Sequence, residues 1–335
     1  MELETAQADL IAAPPVAPGL IQTHPGRMRF RQLGGALLNN PLALLGFVLF
    51  TLIVVAAVFA PLLTPYTPSD MVGPLGQGPS STHYFGTNDT GQDIFSQIIF
   101  GARFSLAVGI LTGFAITIVA TIVGMTAGYV GGWIDDLLGM TMNIFLVMPQ
   151  LPLLVVIAAY VPFRSDNALG TIFTMVVVIT ITGWAWGARV IRSQTLTLRS
   201  RDFVQSAIVA GEPTWRITSR EVMPNMMGLV INTIIMSSMG AILTEAALDY
   251  LGIGNINLIT WGVMLNKAQA SSALFSGEWW VFIFPGLAIA VTTMSLVLMN
   301  NAVDAVGNPR LRGLKRRRFR LPAPFRKLDK TEVAS

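Results

Sequence analysis

Apolar residues along the 335-residue chain do not alternate with polar ones; they gather into six uncharged blocks. The blocks are Leu42–Leu63, Phe104–Val130, Leu137–Val161, Thr171–Ala188, Met226–Leu243 and Trp279–Val303, and none holds Asp, Glu, Lys, Arg or His. A helix of about 20 apolar residues crosses the hydrocarbon core of a bilayer, so each block predicts one transmembrane helix. Pro61, Pro149, Pro152 and Pro285 fall inside or at the edges of blocks, where neighbouring helices can satisfy the freed carbonyls. The expected fold is all-α and polytopic. It comprises an N-terminal segment (1–41), a first span (42–63), a loop (64–103), a core of five spans (104–303) and a basic tail (304–335).

The polar segments refine this picture. The 64–103 loop is rich in Gly, Pro, Ser and Thr up to Asp93, after which Ile94, Phe95, Ile98 and Ile99 take helical spacing. That predicts a short helix lying at the membrane interface. In the second block, Gly109 with Gly113 and Gly124 with Gly128 recur at four-residue spacing. Such pairs let helices approach closely, although glycine is also simply common in spans.

Charge sets the orientation. With the N-terminus in the cytoplasm, the inside segments hold three Arg before the first block, six between Arg189 and Arg220, and ten Lys or Arg from Arg310 onward. The outside segments hold only Arg103, Arg164 and Lys267. By the positive-inside rule both termini and the segment between the fourth and fifth blocks are cytoplasmic. The basic LKRRRFR run at 314–320 and the net charge of +4 are thereby read as topology and attraction to anionic membrane lipid, not as a nucleic-acid site. The first 23 residues carry three acidic residues and no Lys or Arg, which does not match a cleavable signal. Hydrophobic residues make up 53% of the chain and charged ones 12%, against roughly a quarter charged in soluble domains.

Several chemistries are missing. With no cysteine there is no disulfide, thiol nucleophile or cysteine metal site. No lysine stands in a G-x-x-x-x-G-K-[ST] loop, and there is no HExxH. Ion-coupled carriers place ionisable groups inside the membrane, whereas here Asp135, Asp136, Glu245 and Asp304 fall at span ends, where water is expected to reach them. Asn143, Gln150, Asn232, Ser237 and Ser238 are polar residues within spans; each either bonds a neighbouring helix or meets a substrate. The chain therefore has a pathway but no engine: it is a channel, or a partner drives it.

The segment FVQSAIVAGEPTWRITSREVMPN, Phe203 to Asn225, is the candidate connection to such a partner. Asp202 to Ala210 has helical spacing, and Gly211 suits a left-handed C-cap. Pro213 suits the first position of a second helix, expected from about Thr214 to Met223, and Pro224 ends it or kinks it into the fifth span. Such a stiff two-helix corner fits a groove on another protein; lying on lipid headgroups is the alternative.

These residues resemble the EAA loop of binding-protein-dependent ABC importer permeases, with the pattern E-A-A-x-x-x-G followed further on by a hydrophobic–proline pair. Gln205-Ser206-Ala207 stands at E-A-A, Gly211 at the glycine and Met223-Pro224 at the pair. Three further stretches resemble the C-type subunit of dipeptide and oligopeptide permeases. They are NNPLALLGFVLFTLIVVAAVFAPLLTPYTP from Asn39, HYFGTNDTGQDIFSQIIFGARFSLAVGI from His83, and TEAALDYLGIG from Thr244 with FPGLAIAVTTMSLVLMNNAVDAVGNPRLRG from Phe284. In the second, Asn88 stands where the family has Asp, and Gln92 where it has Arg.

The resemblance implies an importer permease (MetI-like) core preceded by one extra span, in a bacterial inner membrane. It implies a non-catalytic subunit with no cofactor of its own, paired with a homologous B-type permease. Two cytoplasmic ABC ATPases would bind ATP and Mg, and an extracytoplasmic binding protein would deliver peptide. The coupling loop (200–225) would comprise Gln205, Ser206, Ala207, Gly211, Glu212, Pro213, Thr214, Trp215, Arg216 and Pro224. Members of this subunit class also carry nickel, chelated metal or haem. The spans hold no His or Cys cluster, which disfavours bare metal. A stand-alone channel or ion-driven carrier is the reading from a different class.

Overall fold

The computed structural model describes residues 40–161 and 167–307. His24, Arg164, most of the 304–335 tail and the side chain of Asp304 lie outside what is described. The described residues form helices and loops, with no strand beyond the isolated bridges Met71–Gln92 and Thr87–Asp93. The helices are α1 (Pro41–Val58), α2 (Ala60–Leu63), α3 (Ile94–Val130), α4 (Gly132–Val147), α5 (Gln150–Tyr160), α6 (Ala168–Arg199), α7 (Asp202–Val209), α8 (Thr214–Ile217), α9 (Met223–Asn225), α10 (Met227–Tyr250), α11 (Trp261–Ala270) and α12 (Trp279–Gly307).

Five of these, α1, α3, α6, α10 and α12, are long and apolar enough to cross a membrane unbroken. The block expected as one span over Leu137–Val161 is instead divided into α4 and α5, which meet at 92°. The cause is local. Pro149 has no N–H for the preceding turn and biases the residue before it away from the helical region; Met148 is extended at φ −71° and ψ 126°. Pro149 then acts as N-cap of α5, and Pro152 falls in its first turn, where a missing N–H leaves nothing unpaired. Pro61 likewise separates α2 from α1 at Phe59.

Other boundaries move outward. The short interfacial helix expected before Arg103 is no separate element but the opening of the 37-residue α3. Asp93 caps it, its carboxylate accepting from Ser96 N at 2.8 Å and Ser96 Oγ at 2.7 Å. α6 continues past Ala188 to Arg199, and α10 past Leu243 to Tyr250. A charged residue in the sequence does not end a helix's hydrogen bonding.

α3 is the central helix, with α6 along one flank and α10 along another. Its glycine pairs make the approach possible. A Cβ at Gly113 would stand 2.7 Å from the backbone N of Ser238 in α10, and one at Gly124 would stand 2.5 Å from the carbonyl O of Ala188 in α6. α12 packs on α1 and α10, and α11 packs against both α10 and α12. Large apolar side chains such as Leu52, Val55, Ile118 and Ile122 face outward, as expected where lipid or another subunit is the solvent.

Candidate functional site

The corner between α6 and α10 forms largely as its residues dictate. α7 spans Asp202–Val209 and ends in a two-bond cap: Gly211 N donates to Ile208 O at 3.0 Å, and Glu212 N to Ala207 O at 3.1 Å. This 6→1 plus 5→2 pattern needs a left-handed residue, and Gly211 supplies it at φ +76°. Pro213 sits one position earlier than expected, as N-cap of α8 rather than its first residue. The second helix is not one α-helix over Thr214–Met223. α8 gives way to a π-helical turn at Thr218–Val222, and α9 ends at Asn225. Pro224 explains the widening: its ring cannot approach the carbonyl of Arg220 as an α-helix would require, and a π turn relaxes that contact.

Three buried side chains hold the corner to the bundle. Val204, Ile217 and Val222 join Tyr129 at the end of α3, Leu198 near the end of α6, and Met226. The outer surface is apolar at its tip: Val209 is 88% exposed and Trp215 66% exposed on either side of Gly211. A Cβ at Gly211 would meet nothing within 4 Å. Glu212 and Arg216 lie 3.9 Å apart as an exposed i, i+4 pair, an arrangement worth a few tenths of a kcal/mol, about 0.3–0.5. Ser206 Oγ returns to Asp202 O at 2.8 Å. Gln205 Nε2 donates to Arg199 O at 3.0 Å, satisfying an end carbonyl of α6.

The α6 extension is neutralised by α4. Arg192 grips Asp135 with two bonds, Nε to Oδ1 at 2.5 Å and Nη2 to Oδ2 at 2.6 Å. Arg189 donates to Asn143 Oδ1, so this in-span asparagine bonds a neighbouring helix.

At the end remote from the corner, one expectation is overturned. Glu245 is not at a watered span end; it is completely buried, because α10 runs on beyond it. Asp249, one turn later on the same helix, is also buried. Ser105 Oγ of α3 donates to Glu245 Oε1 at 3.1 Å, and Thr260 Oγ1 donates to Asp249 Oδ2 at 2.5 Å. Thr260 also N-caps α11 through Val263 N at 3.0 Å. The pair thus links α3, α10 and α11. Asp249 was missed in the sequence, where its i, i+4 spacing from Glu245 was the available signal. In the loop before α3, Asn88 Nδ2 donates to Gln92 Oε1 at 3.0 Å, and His83 Nδ1 lies 3.0 Å from Asp93 Oδ1.

Between α3, α5, α6 and α10 lies an open cavity of about 620 Å³. Gln150, Gly183, Trp186, Ser237, Gly240 and Thr244 are on its wall, and no charged residue is. Two of the in-span polar residues, Gln150 and Ser237, therefore line open space. Ser238, the next residue, is buried against Gly113.

Residues 120–313 match the model of the binding-protein-dependent transport system inner membrane component family, and residues 30–79 match that of the N-terminal transmembrane domain of oligopeptide transport permease C. The chain belongs to this family of inner membrane components. It is 32% identical to the dipeptide transport system permease protein DppC of Bacillus subtilis over 82% of this chain and 83% of the relative. It is 33% identical to DppC of Alkalihalophilus pseudofirmus over 90% of this chain and 95% of the relative. With the oligopeptide transport system permease protein OppC of Mycobacterium tuberculosis it shares 30% identity over 83% of this chain and 94% of the relative. Family membership and the apolar helices make the chain a multi-pass membrane protein and a transporter permease subunit.

Proposed function

We propose that this chain is the C-type permease subunit of an ATP-driven peptide importer. It forms half of the translocation pathway and receives its drive through the corner at Gly211. A homologous B-type permease completes the pathway, and an extracytoplasmic binding protein delivers dipeptides or oligopeptides. Two ABC ATPases in the cytoplasm bind ATP and Mg; this chain contributes no cofactor and no catalysis. Both termini and the corner face the cytoplasm of a bacterial cell whose inner membrane holds the chain. The names of the relatives, dipeptide and oligopeptide transport permeases, support the substrate class.

The observation that carries this reading is the corner itself. Its base is packed into the bundle through Val204, Ile217 and Val222, while its tip presents exposed Val209 and Trp215 around a left-handed glycine. An element rigid at its base and apolar at its exposed tip can transmit a displacement from a groove to the helices behind it.

Replacing Gly211 tests it. A β-branched residue at φ +76° costs at least the roughly 1–2 kcal/mol of the left-handed region and alters the corner, while the rest of the fold has open space around the new side chain. In the assembled importer, Gly211→Val is expected to abolish peptide uptake and transport-dependent ATPase stimulation, with membrane insertion unchanged. Full transport by that variant would remove the corner from the mechanism.

A further inference from the structure

The cavity between α3, α5, α6 and α10 has a composition that the reading above does not use. Ser237, Gly240 and Thr244 occupy positions i, i+3 and i+7 of α10, one face of the helix, and all three line the cavity. Gln150, the first residue of α5 after the proline break, lines it from another side. Gln150 Nε2 reaches α6 at Gly183, where an added Cβ would stand 3.6 Å away, ordinary contact distance. A Cβ at Gly240 would meet nothing within 4 Å, so that position adds open volume, not helix contact. The volume, about 620 Å³, lies within the roughly 300–1,000 Å³ of small-ligand pockets.

The polar groups on this wall are an amide and two hydroxyls. Each both donates and accepts hydrogen bonds, as does every peptide unit of a substrate backbone. The remaining wall is apolar, and it supplies no counter-charge for a charged side chain or a bare cation. We infer that Gln150, Ser237 and Thr244, arrayed around the open space at Gly240, form a substrate-binding wall that holds a peptide by its backbone amides and is indifferent to side-chain charge. The inference rests on the permease reading and deepens it by naming the residues in contact and what they recognise.

The chain's lack of cysteine makes the test direct. Ser237→Cys, Gly240→Cys and Thr244→Cys are introduced singly, with Ile122→Cys on an outward apolar flank as control. In the assembled complex, a hydrophilic maleimide carrying polyethylene glycol reports modification as a mass shift of this chain alone. The three wall positions are expected to react and Ile122→Cys to remain silent. Alanyl-alanine with its binding protein and ATP is expected to slow the wall reactions several-fold. Wall cysteines that are as silent as the control, as where a partner helix or lipid fills the cavity, overturn the inference. So does labelling that peptide leaves unchanged.

Charge provides the second arm. Gly240→Asp places a carboxylate on a neutral wall, and the ratio of lysine-containing to glutamate-containing dipeptide uptake is expected to rise several-fold over the unsubstituted complex. An unchanged ratio overturns the inference. The parent reading is scored separately: an unsubstituted complex that imports no peptide and shows no stimulated ATPase activity defeats the permease assignment, whereas a working complex with an unresponsive wall defeats only the backbone-binding wall.

Discussion

Gln205 stands where the coupling-loop pattern has glutamate, and its Nε2 donates to the carbonyl of Arg199 at 3.0 Å. A carboxylate cannot donate, so this bond depends on the amide. Gln205→Glu is expected to weaken the α6–α7 junction by about 0.5–1.5 kcal/mol, the net worth of one hydrogen bond, and faster amide exchange around Ser200 to Phe203 would report it. Exchange unchanged from the parent would show that the bond contributes nothing. A paired change is seen at Asn88 and Gln92. Both charges of the family pattern are absent, yet the residues that replace them bond each other, and Gln92 Oε1 also accepts from Gln97 Nε2 at 2.8 Å. The loss of one charge of each sign is thus a neutral substitution within one contact. Glu245 and Asp249 are the opposite case, carboxyls kept where burial is costly and satisfied in part by Ser105 and Thr260.

At the scale of elements, α3 is held by what its glycines omit. Gly113 faces the backbone of Ser238 in α10 and Gly124 the carbonyl of Ala188 in α6, so any side chain must push a helix away. Gly113→Leu is expected to cost about 1–3 kcal/mol by overpacking and to lower the detergent melting temperature of the complex, while Gly139→Leu, with nothing within 4 Å of its Cβ, leaves it unchanged. Equal effects would show that α3 is not packed in this way. The four-residue spacing of these glycines was legible in the sequence; which helix each pair meets was not, because spacing carries no information about the partner. The existence of most spans and the glycine turn at Gly211 were equally legible. The 92° break at Pro149 was not, since an unbroken apolar block hides a change of direction. Nor was the burial of Glu245: a charge normally ends a span, and the Ser105 hydroxyl that donates to it comes from 140 residues away in the sequence.

For the whole molecule, the two ends are chemically distinct. The corner end carries Arg189, Arg192, Arg199, Arg201, Arg216 and Arg220, while the opposite end carries Arg103 and Lys267 among its described residues. Anionic lipid and the insertion machinery favour the basic end in the cytoplasm, where ATPases would have to meet Val209 and Trp215. The folded loop at the other end, tied to α12 by Trp280 Nε1 donating to Thr87 O at 3.1 Å, would then face a binding protein. Orientation therefore decides whether the corner and the loop can have the partners proposed for them. Ser276 is exposed before α12 and Ser219 on the corner's second helix, so each can be replaced by cysteine with little effect on packing. With a membrane-impermeant thiol reagent on intact inner-membrane spheroplasts, Ser276→Cys is expected to be modified at once and Ser219→Cys only after permeabilisation. The reverse pattern would place the corner outside the cell, out of reach of ATP-binding subunits, and the coupling mechanism would fall with it.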